Sequence, residues 1–151
     1  MITIEDFKKK QSQPSRLIGL DLGSKRIGVS ICDERQSIAT PFKTITKSNT
    51  NDFILQLKEI ITEYSSKGVI IGNPLNMDGS SGRSAQSVND VSNNIDKAIN
   101  VDVCLWDERL STVGAFNLSS QLDVNGSKRE KNIDQNAAAF ILQGAIDFLN
   151  N

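Results

Sequence analysis

Apolar and polar residues alternate over the first third of the chain, and this pattern predicts β-strands. Three such runs lie at residues 17–23, 27–32 and 37–46, and the short turns between them are typical of an antiparallel meander. Residues 1–15 are mostly polar. We therefore expect an N-terminal extension there, with one short helix around residues 4–9.

After residue 50 the apolar period lengthens, which predicts helices separated by short apolar strands. Asn51 or Asp52 can cap the first of these helices, and Ser111 or Thr112 can cap the third. A loop with an Asn-Gly turn and a basic end occupies residues 122–131. We expect strands at 69–71 and 101–106. The first helix should run from about 52 to 66–68, and the second should include the stripe from Val88 to Ala98. The third should run from its cap to about Gln121, and the last over 132–149.

This order of elements predicts a single α/β domain over residues 16–151. Right-handed crossovers would stack the later strands in parallel beside the first one. The result is a five-stranded mixed sheet, with three antiparallel strands followed by two parallel ones and with helices on both faces, which is the ribonuclease H-like order. A length of 151 residues suits one such domain.

Composition excludes several kinds of chemistry. The chain has no histidine, which rules out Ser-His-Asp and Cys-His catalysis and histidine-bound zinc. Cys32 and Cys104 lie in apolar strand patterns and suggest core positions in a reducing compartment. No stretch approaches the ~18 apolar residues of a membrane span, and the N-terminus has no apolar signal region. We expect a soluble cytoplasmic protein.

Asp21 is the most informative single residue. It is a lone carboxylate inside an apolar strand, and strand alternation places it on one face with Gly19 and Gly23. A face cleared of bulky side chains predicts that something approaches it closely. The alternative is that N–H groups of the following turn satisfy the carboxylate.

Two further acids should lie at the same edge of the sheet. Glu108 follows the fifth predicted strand, and ligands of open α/β sheets gather at the carboxyl ends of strands. Asp134 is predicted in the first turn of the last helix, on the stripe that faces the sheet. A role in stabilising the helix N-terminus is an alternative for this acid.

Three carboxylates that converge need compensating charge, because unpaired like charges would protonate or push the structure apart. Oxygen-only ligands favour Mg²⁺ or Mn²⁺, and a pair of such ions could activate water and stabilise the leaving oxygen of a phosphodiester. We therefore expect Asp21, Glu108 and Asp134 to be both the metal ligands and the catalytic residues.

Four blocks of the sequence resemble the YqgF family of ribonuclease H-like proteins, described as Holliday-junction resolvase-like or pre-16S ribosomal RNA nucleases. The resemblance covers about residues 16–149 and implies a metal-dependent endonuclease with its acids at the three positions above. Asn73 and Gln135 depart from the family pattern, which often has an apolar residue and a serine there. The blocks are GLDLGSKRIGV at 19–29, GNPLNMDG at 72–79, DERLST at 107–112 and IDQNAAAFIL at 133–142.

Basic and polar residues accompany each acid along the sequence. With a net charge of −1 the chain has no global attraction for a polyanion, so any nucleic-acid site must be a local patch. Cations beside the acids could bind phosphates. Ordinary solvated charge is the alternative, and we favour it for Lys43, Lys47 and Lys131. The predicted substrate contacts are Lys25, Arg26, Asn76, Arg83, Arg109 and Arg129.

The family resemblance leaves the substrate open between pre-16S rRNA, at its 5′ end, and branched DNA. A ribosomal particle is a possible partner, and the sequence does not decide between a monomer and a homodimer. One rival is an ATPase of the actin, chaperone and sugar-kinase type, which shares an Asp-Leu-Gly-Ser hairpin but needs two such domains. The other is a non-catalytic nucleic-acid-binding factor for ribosome assembly or transcription, which would be expected to lack an acid.

Overall fold

A five-stranded mixed sheet forms the centre of the structure, a computed structural model that describes residues 1–11, 14–75, 78–79, 82–110 and 126–151. The side chains of residues 126–132 lie outside this description. The strands are β1 (Leu17–Leu22), β2 (Arg26–Cys32), β3 (Ala39–Thr46), β4 (Gly68–Asn73) and β5 (Asp102–Asp107).

The strands lie in the order β3-β2-β1-β4-β5. β1 and β2 are antiparallel, as are β2 and β3, whereas β1 pairs in parallel with β4 and β4 with β5. This is the predicted ribonuclease H-like arrangement, and the fold class is confirmed. The carboxyl ends of β1, β4 and β5 therefore meet at one edge of the sheet, which we call the carboxyl edge.

The described helices are α1 (Ile4–Lys10), α2 (Thr50–Tyr64), α3 (Arg83–Ala98) and α4 (Gly126–Leu149), with a 3₁₀ turn at Glu108–Leu110. The cap of α2 differs from the prediction. Asn49 caps this helix, and its side chain accepts a hydrogen bond from the Asp52 backbone N–H at 2.7 Å. The helix predicted to end near Gln121 lies outside the described residues.

Helix α4 begins six residues earlier than its apolar stripe predicts. Residues 126–131 were expected in a loop, but they form its first turns. Lysine, arginine and glutamate in this stretch are good helix formers, so the polar segment extends the helix without contributing to the stripe. Asp134 therefore lies more than two turns inside α4, where a stabilising effect of the helix N-terminus does not apply.

Two apolar cores lie on opposite faces of the sheet. One is shared with α2 and α3 and includes Leu20, Phe53 and Ile95. The other is shared with α1 and α4 and includes Trp106 and Leu142. Cys32 and Cys104 are buried in this second core, as the apolar pattern around them predicts.

The first residues of the chain pack onto the sheet. Phe7 and Ile4 of α1 are buried in the second core, and Ile2 forms a parallel bridge to Cys104 of β5. The N-terminal ammonium group also forms an ion pair with Asp96 at 2.7 Å. No helix in the described part of the chain is long and apolar enough to cross a membrane.

Candidate active site

Asp21 is the second-last residue of β1, next to the carboxyl edge, and it pairs with Gly28 of β2. Helix α4 crosses directly over this pair. A Cβ atom at Gly28 would overlap the backbone carbonyl oxygen of Asp134, so the approach of α4 requires glycine at this position. Gly28 thus sets the distance at which Asp134 stands above β1 and β2.

Ser30 fixes the same helix further along β2. Its hydroxyl group is buried and donates to the carbonyl oxygen of Ala138 at 2.7 Å. Gly19, on the same face of β1, leaves the space that the Leu142 side chain fills. The cleared face of β1, which predicted a close approach without saying by what, therefore admits α4 at Gly19.

Glu108 begins the 3₁₀ turn that follows β5 and reaches back over β4. A Cβ atom at Gly72 would stand 3.2 Å from the Glu108 carboxyl carbon and would overlap the Ile141 side chain. The glycine at the end of β4 thus leaves room for both groups. Glu108 and α4 lie on the same face of the sheet as Asp21.

The three acids interact through their charges. Burial and the nearby carboxylate of Asp134 raise the pKa of Asp21 to about 6. Burial, together with Asp21 and Asp107, raises the pKa of Glu108 to about 7. Asp21 therefore stands between the other two acids. The charge of Asp134 makes the ionised form of Asp21 less favourable, and the charge of Asp21 does the same to Glu108.

No described residue donates a hydrogen bond to the Asp21 carboxylate. Satisfaction by the N–H groups of the β1–β2 turn, which was the alternative for this acid, is thus not what the structure shows. The turn closes instead through the Gly23 backbone N–H, which donates to the Arg26 carbonyl oxygen at 3.0 Å.

Arg26 compensates the charge of Asp134. Its Nε lies 2.7 Å from an Asp134 carboxylate oxygen, and the Asp134 side chain is only 21% exposed. Arg26 was predicted to contact substrate, and in the structure its partner is Asp134 of the same chain. In this arrangement no three of the described acids and cysteines stand close enough to hold a metal ion.

Arg109 is similarly paired. Its guanidinium group makes hydrogen bonds to both carboxylate oxygens of Asp107, at distances of 2.6–3.1 Å. The same group lies 3.5 Å from the position that a Cβ atom would take at Gly79, a residue with φ of +88°. Arg109 thus connects the end of β5 with the loop after β4.

Two of the predicted substrate contacts are exposed cations at the carboxyl edge. Lys25 lies in the β1–β2 turn, and Arg83 is the first residue of α3. Neither forms an ion pair with a described residue. Asn76 and the side chain of Arg129 lie outside the described part of the chain.

Sequence reasoning missed three features of the site. It did not assign the Asp107–Arg109 pair, the Arg26–Asp134 pair or the anchoring role of Ser30. The spacing of Asp107 and Arg109 within one short turn is a usable signal for the first pair. Asn73, one of the two departures from the family pattern, ends β4 with a buried Oδ1 that has no hydrogen-bond partner among the residues that the structure describes.

The sequence matches known proteins along nearly its whole length. A family model described as RuvX, Holliday junction resolvase, matches residues 15–148. A protein of Pelagibacter ubique (strain HTCC1062), named "Putative pre-16S rRNA nuclease", is 76% identical over 151 residues, which are 100% of both chains. A protein of Chelativorans sp. (strain BNC1) with the same name is 41% identical and covers 99% of this chain and 93% of its own.

The fold is similar to that of a solved structure, T. thermophilus RuvC in complex with Holliday junction substrate. The TM-score is 0.57 at 12% sequence identity, and the match covers 87% of this chain and 93% of the other. At this level of identity the likeness concerns the fold alone.

Proposed function

Because the chain belongs to the RuvX Holliday junction resolvase family, we propose that it is a metal-dependent endonuclease that hydrolyses phosphodiester bonds in structured nucleic acid. The observation that carries this proposal is the position of Asp21 between Glu108 and Asp134 at the carboxyl edge, with the pKa of two of these acids raised by burial and mutual repulsion. Such a cluster lowers the stability of the fold, which is typical of groups retained for function.

The donor set suits a hard divalent cation such as Mg²⁺ or Mn²⁺. All three groups offer carboxylate oxygens, and a cation would offset the burial and the repulsion that raise the pKa of Asp21 and of Glu108. Asp21 and Glu108 would hold the cation. Asp134 would join them if its carboxylate exchanged the ion pair with Arg26 for a bond to the cation. One ion or a pair would supply activation of a water molecule and neutralisation of the charge on the leaving oxygen.

The chain itself contributes the positioning of the phosphodiester. Lys25 and Arg83, which form no ion pair with a described residue, present positive charge at the edge that Asp21 occupies, and cations of this kind bind phosphates without reading bases. Arg109 is held by Asp107, so its planar guanidinium group has a fixed orientation. Water then adds to phosphorus as the bond to the leaving oxygen breaks.

The substrate that we propose is the 5′ region of pre-16S rRNA, within or released from a ribosomal particle, which would place the protein in the cytoplasm. The names of the relatives at 76% and 41% identity support this choice over branched DNA. Branched DNA is the second candidate, and it is supported by the description of the family model. A purely binding role is disfavoured because all three acids are present.

Parallel cleavage assays test the proposal. The purified protein is incubated with Mg²⁺ or Mn²⁺ and either an RNA spanning the 5′ end of 16S rRNA with its precursor extension or a four-way DNA junction. We expect cleavage of the RNA that disappears in EDTA. Undiminished cleavage in EDTA would contradict the metal requirement, and cleavage of the junction alone would replace RNA by DNA as the substrate.

A further inference from the structure

A second concave feature lies beside the acids, on the opposite face of the sheet. It is a pocket of about 340 Å³ between the β1–β2 turn and the first two turns of α3. Leu22 lines it, and this residue directly follows Asp21 in β1. Because successive strand residues point to opposite faces, the pocket and the acids stand back to back at the carboxyl edge.

The floor of this pocket is apolar, and its rim is polar and positive. Ile27, Val88 and Val91 contribute to the floor and continue into the core that α2 and α3 share with the sheet. Lys47 and Arg83 stand at the rim, and neither forms an ion pair with a described residue. No acidic residue is among the described residues that line the pocket.

Hydroxyl groups complete the rim. Ser84 and Ser87 are exposed on α3, and Ser24 is exposed in the β1–β2 turn. The N-cap of α3 is Gly82, which supplies no side-chain cap, and Arg83 and Ser84 of the first turn line this end of the pocket. The rim thus offers donors and positive charge above an apolar floor.

From this combination we infer that the pocket holds one unpaired nucleotide of the RNA, next to the phosphodiester at the acids. An apolar floor suits the face of a nucleobase, whereas a phosphate alone would gain nothing from it. The cations and hydroxyl groups suit the sugar and the adjoining phosphate. The volume is within the ~300–1,000 Å³ range of pockets for small ligands. The inference rests on the proposed function and adds a requirement for single-stranded RNA beside the cleavage site.

The experiment compares two RNAs in EDTA, measured by fluorescence anisotropy. One is a blunt RNA duplex, and the other is the same duplex with a single-stranded 5′ extension. The variant Ser87→Phe places a ring at the rim of the pocket, and Ser84→Phe does so from one turn earlier. Asn93→Phe is the matched control, because Asn93 is exposed on α3 and does not line the pocket.

We expect the parent protein and Asn93→Phe to bind the extended RNA about fivefold to tenfold more tightly than the blunt duplex. Ser87→Phe and Ser84→Phe should reduce this ratio to near one, with melting curves that show a folded protein. The inference is overturned if the parent has no preference or if both folded variants keep it. In that case Mg²⁺-dependent cleavage by the parent would still uphold the proposed nuclease function. A parent protein that neither bound nor cleaved RNA would overturn both the pocket inference and the proposed function.

Discussion

Asp21 is held in its ionised form at a cost in stability. The folded protein raises its pKa from 3.8 to about 6, so between these values the folded state binds more protons than the unfolded state. The free energy of unfolding therefore falls as the pH rises through this window, and the whole cost is present above it. A bound cation would relieve this cost, which links the chemistry of the site to its stability.

The variant Asp21→Asn should stabilise the metal-free protein by roughly 1–2 kcal/mol at pH 8, because it removes the buried charge and its repulsion. At pH 3.5 most of the gain should vanish, since the parent carboxyl group is then protonated in the folded state and mostly protonated in the unfolded state. Urea unfolding in EDTA at the two pH values measures this. Asp90→Asn, at an exposed position of α3, is the control. An equal stability of parent and Asp21→Asn at pH 8 would contradict the electrostatic account.

Lys25 and Arg83 are expected to act on nucleic acid through charge alone. Replacing either by alanine should weaken RNA binding and reduce the slope of log affinity against log salt concentration by about one unit for each lost phosphate contact. Binding titrations at several salt concentrations measure the slope. Lys97→Ala removes an exposed cation from the far end of α3 and serves as the control. A slope equal to that of the control would mean that Lys25 and Arg83 are ordinary solvated charges that contact no phosphate.

The residue types of the site could be predicted from the sequence, but their partners could not. Asp21 and Glu108 were placed at one edge by the strand order, and Asp134 was placed there by the helix stripe that faces the sheet. Arg26 and Asp134 are 108 positions apart, and nothing local indicates that they form an ion pair. Only the docking of α4 over Gly28 brings these two side chains together.

At the scale of elements, the position of α4 depends on the glycine beneath it. Gly28→Ala would force its Cβ atom into the backbone carbonyl group of Asp134, which cannot move without shifting the helix. We expect a loss of about 3 kcal/mol or more in urea unfolding. Gly68→Ala is a matched control, because the three atoms nearest its Cβ atom would belong to the side chains of Phe7 and Leu17, and it should cost less. Equal losses would show that α4 does not rest on Gly28.

The strands were easier to predict than the helix boundaries. Alternation fixed the three antiparallel strands to within two residues, because a one-residue shift would turn every side chain to the wrong face. The starts of α2 and α4 depend on local hydrogen bonds and propensity, which the apolar period does not report. Asn49 therefore replaced the expected cap, and the polar first turns of α4 were taken for a loop.

At the scale of the whole molecule, the N-terminal segment completes the second core. Phe7 is 2% exposed and packs beneath the amino ends of the strands. Phe7→Ala should cost about 3–5 kcal/mol in chemical unfolding, as for other buried phenylalanines. Phe42→Ala, at a half-buried position of β3, should cost clearly less. A small effect of Phe7→Ala would mean that α1 contributes little to the stability of the domain.

The proposed chemistry and the proposed substrate recognition lie at the same edge of the sheet. The face that carries α4 brings the acids together, and the opposite face carries the pocket lined by α3. Both depend on the end of β1, where neighbouring residues serve the two faces. The central claim is that the acids at this edge, beginning with Asp21, cleave the phosphodiester.

Cleavage by the variant Asp21→Asn tests this claim most directly. Asparagine is nearly isosteric with aspartate, so the variant should fold while its Mg²⁺-dependent cleavage of the pre-16S RNA falls by orders of magnitude relative to the parent and to Asp90→Asn. The single-turnover rate at saturating protein is the quantity to measure. A folded Asp21→Asn protein that cleaves at the parent rate would contradict the assignment of the acids and the mechanism built on them.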